Sequence, residues 1–312
     1  MKTVHPTRNT LLVFGVLAAS LISIPAQADT PVYREYVALG DSWTAAVFTT
    51  LPPAMTDVPA DCVQSTSNYP HQVAAALGIK VFRDASCASA TTTDMTGEQQ
   101  LPLGGVNPPQ FDKLSPTTDL VTLGIGGNDI GFPALAMSCL QPLPATATGA
   151  GAGAAKETPA CATTPAADDR VTAKIDATAP LVQATITGIR ERAPKARILL
   201  VDYLNALPVT GKGCRPDLPA ADVDITYLRD KFALMNAMLA RVAKAAGIEF
   251  VDTYTPSTGH DVCQPAATRF VEGIAFSSPH NAPGVAYPLH PNALGANAQT
   301  AVVLEKIRRA TS

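Results

Sequence analysis

Short apolar segments alternating with longer amphipathic ones constrain this chain more than any other feature. Residues 33–40, 80–85, 119–125, 197–202 and 248–252 are runs of strand length, and Asp119-Leu-Val-Thr-Leu-Gly-Ile125 is the most strongly β-branched and apolar of them. Between them lie segments with apolar residues at helical spacing. Tyr69, Val73 and Leu77 share one face of 68–77. Val171, Ile175, Val182, Ile186 and Ile189 do so in 170–192, where Pro180 predicts a kink or restart. Leu228, Phe232, Met235, Leu239 and Val242 do so in 222–246, and 292–308 reads as a closing helix. Strands alternating with helices predict an α/β fold, a three-layer α/β/α sandwich with a central parallel sheet. No repeat and no linker divides it.

The N-terminus carries a separate signal. Lys2 and Arg8 form a basic region, residues 11–24 an apolar run, and Ala26-Gln27-Ala28 a small-residue cleavage site. Fourteen apolar residues are too few to span a bilayer, which takes about 20. Residues 1–28 are therefore read as a signal peptide and 29–312 as a single secreted, extracellular domain without stable membrane insertion. Removing the signal leaves 284 residues, ample for one large core.

Composition excludes other classes. The 23 Lys and Arg are spread without a cluster, so no nucleic-acid partner is expected. Charged residues make up 16%, against about 25% in an average soluble domain, and 27 prolines point to many loops. Residues 145–167 are Ala/Thr/Gly/Pro low-complexity sequence and read as a solvent loop. A monomer is expected.

Six cysteines, Cys62, Cys87, Cys139, Cys161, Cys214 and Cys263, all follow the signal. An even count in an exported chain predicts three disulfides. Fifteen connectivities are open to six cysteines; the expectation adopted is sequential, 62–87, 139–161 and 214–263. No two cysteines are close enough for the paired spacing of a zinc site, so neither metal nor cofactor is expected.

In an open parallel sheet ligands sit beyond the carboxyl ends of the strands. Three such ends or loops carry polar groups: Gly40-Asp41-Ser42, Gly124-Ile-Gly-Gly-Asn128-Asp129, and Leu289-His290-Pro291-Asn292. Each has a plain structural reading, since Asp41 or Ser42 can cap a helix, Asn128 can serve a Gly-rich turn and His290 can cap the last helix. A dinucleotide motif fails because Asp129 stands where its last glycine belongs, and Thr44 breaks a Gly-x-Ser-x-Gly elbow. Trp43 beside Ser42 suits either an acyl pocket or the core.

These blocks resemble the SGNH hydrolases, also called GDSL lipases or esterases, in their secreted actinobacterial branch. Tyr36-Val-Ala-Leu-Gly-Asp-Ser42 matches the first block, the stretch from Asp119 to Phe132 the third, and His290-Pro-Asn292 the last; Gly259-His-Asp-Val-Cys263 also looks like this branch. The resemblance implies a flavodoxin-like fold, Ser42 as nucleophile, His290 as base, and an oxyanion hole of the Ser42 and Ser89 N–H groups with the Asn128 amide. It implies hydrolysis of a small-molecule or lipid ester, or, on the same machinery, carbohydrate O-deacetylation or acyl transfer. A catalytically inactive binding protein is the reading from another class.

Two positions depart from the family pattern. Ser89 stands where the second block has glycine, and Tyr287 where an Asp usually precedes the His by three. The Tyr287 carbonyl is therefore expected to orient His290, with Asp252 and Asp261 as carboxylate alternatives. His260 is expected in a structural or substrate-contact role, while His280 and His71 are expected to face solvent.

Overall fold

The computed structural model describes residues 1–3, 32–140, 161–162, 167–274 and 286–309. Nearly all of the expected signal at 1–28 and most of the 145–167 segment lie outside the described residues, as does His280.

In chain order the elements are β1 (Glu35–Gly40), α1 (Ser42–Ala45), α2 (Tyr69–Leu77), β2 (Val81–Asp84), the hairpin β3 (Gln99–Gln100) and β4 (Val106–Asn107), and β5 (Leu120–Gly124). Then follow α3 (Gly127–Ile130), α4 (Phe132–Cys139), α5 (Ala167–Arg192), β6 (Arg197–Val201), α6 (Asp222–Ala246), β7 (Glu249–Val251) and α7 (Ala293–Arg308). The main sheet runs β2-β1-β5-β6-β7, with every neighbouring pair parallel. The chain leaves β1 toward one edge and returns to build toward the other, so the order reverses between β1 and β5. That reversal opens a crevice at the carboxyl ends of these two strands.

The three layers follow from side-chain alternation along strands buried on both faces. Val37 and Leu39 of β1, Val121 and Leu123 of β5, and Ile198 and Leu200 of β6 pack with Ile175, Val182, Ile186 and Ile189 of α5 and Leu228, Met235 and Leu239 of α6. The intervening Tyr36, Ala38, Leu120, Leu199 and Val201 pack with Tyr69 and Val73 of α2 and Val303 and Ile307 of α7. Pro180 does not interrupt α5, which is continuous over 26 residues. An interior proline removes one backbone bond, and the buried faces on both sides of it hold the helix together. His71 also departs from expectation: it turns inward, with Nδ1 2.8 Å from Asn68 Oδ1 and 3.5 Å from the buried Asp84 carboxylate.

Three disulfides join Cys62 to Cys87, Cys139 to Cys161 and Cys214 to Cys263. The first holds the loop after β2, the second the end of α4, and the third the segment between β6 and α6 to that after β7.

The carboxyl ends of β1 and β5 meet in register as Gly40 and Gly124, and the Asp41 N–H continues the ladder to the Gly124 carbonyl at 3.0 Å. A Cβ on Gly40 would collide with the Thr44 hydroxyl and lie 2.8 Å from the Gly124 oxygen. Gln110 grips the same glycine from the side, accepting its N–H at 2.8 Å and donating to its carbonyl at 2.9 Å. Gly40→Ala should therefore cost about 1–3 kcal/mol of stability by overpacking, read as a lower urea midpoint at unchanged slope.

Candidate active site

Asp41 ends the strand in extended backbone and caps α1, its Oδ1 accepting the Trp43 N–H at 2.9 Å. Capping is thus one of its functions, and the turn it makes sets Ser42 at the first helical position, facing the crevice. Asn128 occupies the equivalent turn after β5. Its Nδ2 donates to the Ala90 carbonyl at 2.8 Å. Asp129 reaches the same neighbouring loop, accepting from the Thr92 N–H at 3.1 Å and the Thr92 hydroxyl at 2.5 Å.

Immediately before these contacts in the same loop comes Ser89, with φ +64°. Left-handed backbone favours glycine, and another residue there costs of order 1 kcal/mol. The surrounding loop imposes it: Cys87 is bonded to Cys62, its N–H donates to the Gly40 carbonyl at 3.1 Å, and the Ala88 N–H donates to the Cys62 carbonyl at 3.2 Å. A serine thus takes a backbone conformation that favours glycine.

His290 comes from the far end of the sequence. Its Nε2 lies 2.8 Å from Ser42 Oγ. Its Nδ1 lies 2.8 Å from the Pro288 carbonyl. The orienting carbonyl is therefore that of Pro288, one residue later than the expected Tyr287. The cause is the turn: the Tyr287 carbonyl is taken by the His290 backbone N–H at 3.1 Å, and Leu289, at φ +59°, turns the next carbonyl toward the ring. Neither carboxylate alternative reaches His290. Asp252 accepts the Thr255 N–H at 2.8 Å, and Asp261 the Cys263 N–H at 2.9 Å.

The segment carrying His290 is pinned from below. The Glu272 N–H donates to the His290 carbonyl at 3.0 Å, and the Leu289 N–H to the Glu272 carbonyl at 2.9 Å. The Glu272 carboxylate accepts from Asn292 Nδ2 at 2.8 Å and pairs with the buried Arg269. Asn292 in turn caps α7 through the Gly295 N–H. His260 is elsewhere, stacked on Phe270 with Nδ1 at the Thr268 carbonyl.

The crevice opens into a cavity of about 530 Å³, within the range of small-molecule sites. Ser42, Asn128 and His290 stand at its polar end, and Trp43, Phe132, Leu207, Leu228, Phe232 and Met235 are among its apolar walls. Trp43 joins pocket and core at once, packing on Tyr203, Phe232 and His290. Tyr287, half exposed, leans edge-on against His290. Among the described residues, no group of three or more His, Cys, Asp or Glu is arranged to hold a metal ion.

Sequence reasoning missed four members of this frame: the Asp41 carboxylate as a buried acceptor, Gln110, Asp129 and Tyr203. Tyr203 donates to Asp41 Oδ2 at 2.6 Å. Burial pushes Asp41 up to about 7, against the pull of the Tyr203 and Trp43 hydrogen bonds. Only Asp41 and Asp129 carried a signal, being adjacent to Ser42 and Asn128.

The profile of the GDSL-like lipase/acylhydrolase family matches residues 38–298. The chain is 36% identical over 292 residues to Lipase 2 of Streptomyces coelicolor, covering 91% of this chain and 88% of that one. It is 28% identical over 295 residues to an esterase of Streptomyces scabiei, covering 87% and 85%. The fold is similar to that of a phospholipase A1 from Streptomyces albidoflavus, with a TM-score of 0.67 at 23% identity over 88% of this chain and 99% of the other. An extracellular lipase from Streptomyces rimosus gives 0.65, with the same identity and coverage.

Desolvation in the crevice pushes His290 down to about 4, only partly opposed by the bond to Pro288. The ring is thus neutral at pH 7. In the unfolded chain it binds a proton near 6.5, so stability should fall as pH drops from about 6.5 toward 4. The His290 ring resonances, followed by NMR, should hold their neutral positions until pH approaches 4; a midpoint near 6.5 would mean a solvated ring.

Proposed function

Because the chain belongs to the GDSL-like lipase/acylhydrolase family, we propose that its ester hydrolysis runs through an acyl-enzyme on Ser42, with His290 as base. The observation that carries this reading is the 2.8 Å contact between Ser42 Oγ and a His290 ring whose other nitrogen is held by the Pro288 carbonyl. A carbonyl can only accept, so the Nδ1 facing it carries the proton and Nε2 is left with the lone pair a base requires.

His290 Nε2 takes the Ser42 proton as Oγ attacks the ester carbonyl. The oxyanion is stabilised by the Ser42 and Ser89 N–H groups and by an Asn128 Nδ2 proton. Asn128 Nδ2 carries two protons and gives one to Ala90, so the other is available at a fixed angle. Collapse expels the alcohol, which takes the proton from His290. Water then adds to the acyl-enzyme, gives its proton to Nε2, and the acid leaves as Ser42 recovers its own proton.

The apolar walls support an acyl chain as the group that fills the cavity, over a sugar. The names of the similar proteins, lipase, esterase and phospholipase A1, agree with a lipid or small ester substrate. Export as a single domain spanning 29–312 is supported by the N-terminal sequence, the three disulfides and the extracellular lipase among the similar structures.

Ser42→Ala should abolish hydrolysis of p-nitrophenyl esters and labelling by a fluorophosphonate while leaving the melting temperature unchanged; turnover near wild type would remove Ser42 as nucleophile. Asn128→Ala should lose about 10²–10³ in kcat, and a loss under threefold would take it out of the oxyanion hole. Across esters of two to sixteen carbons, kcat/KM should rise over the first several methylenes, each worth up to about 0.8 kcal/mol when buried. A maximum at acetate would favour the deacetylase alternative.

A further inference from the structure

We propose that Tyr203 is a positioning residue for ester hydrolysis: its single hydroxyl bridges Asp41 to Gly127 and so sets the distance between the nucleophile and the oxyanion amide. The proposal rests on the assignment of Ser42 and Asn128 above.

The bridge is short and fully committed. The Gly127 N–H donates to Tyr203 Oη at 2.8 Å, and the Tyr203 hydroxyl donates to Asp41 Oδ2 at 2.6 Å. Asp41 directly precedes Ser42, and Gly127 directly precedes Asn128. One phenol from the end of β6 therefore ties together the two residues whose neighbours do the chemistry. Among the described residues the Gly127 N–H has no other hydrogen-bond partner, and Tyr203 is the side chain that donates to Asp41.

The phenol is itself immobilised. Tyr203 is buried, and its backbone N–H and carbonyl are both bonded to the Asn236 side-chain amide at 3.1 Å. The ring stands edge-on to Trp43 at 5.4 Å and to Phe232 at 6.0 Å. Burial and the adjacent Asp41 push the phenol well above its ordinary range, so it keeps the proton it donates. The sheet does not supply this linkage. Its ladder between β1 and β5 ends at Gly40 and Gly124, and beyond it the Asp41 N–H reaches only back to Gly124.

Removing the hydroxyl leaves the ring packing intact but strands a buried carboxylate oxygen and a buried N–H, each of which must find a new partner or move. Movement of the nucleophile turn relative to the oxyanion loop weakens transition-state contacts first. A misplacement of about 1 Å there can cost of order 10²-fold, whereas the apolar cavity that binds the acyl chain is unaffected.

Tyr203→Phe should therefore lower kcat by about tenfold to a hundredfold with KM within threefold of wild type. An alkyl boronic acid, which forms a tetrahedral adduct on Ser42 with oxygen in the oxyanion hole, should bind weaker by a similar factor. Asp41→Asn, close to isosteric, should show the same boronate defect and carries the test if Tyr203→Phe does not fold. The double variant should be no worse than the worse single one. A kcat within threefold of wild type, equal losses in kcat and 1/KM with a lowered melting temperature, or additive losses in the double variant would each overturn the bridge. Ser42→Ala separates the two readings. Turnover in that variant sinks the nucleophile assignment, whereas an inactive Ser42→Ala beside an unimpaired Tyr203→Phe sinks the bridge alone.

Discussion

The pairing of Gly40 with Gly124 is a steric constraint on which the rest of the site depends. Adjacent parallel strands end here without side chains, and Thr44, in the first turn of α1, sits over both: an ideal Cβ on Gly124 would lie 2.6 Å from its hydroxyl. Only because those positions are empty can the chain turn so sharply off β1 that Ser42 begins a helix directly above the strand. The same emptiness lets the loop after β5 start Asn128 at matching height. The site is thus a consequence of where the sheet order reverses, since only there do two neighbouring strand ends diverge and leave room for a ligand.

The layers were legible because burial on both faces makes a strand apolar throughout. The runs around Val37 and Val121 need no distant information, and neither do the stripes of α5 and α6. The short helices α1, α3 and α4 were not legible, being too short for a periodic pattern and formed by turns that tertiary packing dictates. The site divides along the same line. Ser42, Asn128 and His290 stood out because each lies in a compact local block. Gln110, Tyr203 and Thr92 act on partners 70, 162 and 37 positions away, and no local spacing carries such a relation. The Tyr287-to-Pro288 correction is smaller in scale but alike in kind. The choice between two carbonyls depends on one left-handed residue, Leu289, and its dihedral has no counterpart in the letters of the sequence.

Ser89 and Tyr287 depart from the family pattern in ways of different physical weight. At Ser89 the required property is a main-chain conformation, and a loop anchored by Cys62–Cys87 and the Asn128–Ala90 bond supplies it whatever the side chain. At Tyr287 the missing property is a negative charge. A carbonyl holds the imidazole tautomer as well as a carboxylate does, but it offers a dipole where a carboxylate would offer a full charge to the imidazolium of the proposed mechanism.

That difference shifts the electrostatic burden elsewhere. On the proposed mechanism, with Nδ1 held by the Pro288 carbonyl and the ring desolvated, the imidazolium's main counter-charge is the oxyanion that forms in the same step. Charge separation then spans only the width of the reacting centre, and it is favourable only while the oxyanion donors are already in place. A site of this kind gains more from rigidity on the oxyanion side than a triad with its own buried charge. The described residues supply that rigidity through neutral or paired contacts: Asn128 to Ala90, Asp129 to Thr92, Gln110 around Gly40, and Tyr203 between Asp41 and Gly127. On this account, a carboxylate at position 287 would do little by itself, because Nδ1 is already engaged by the Pro288 carbonyl.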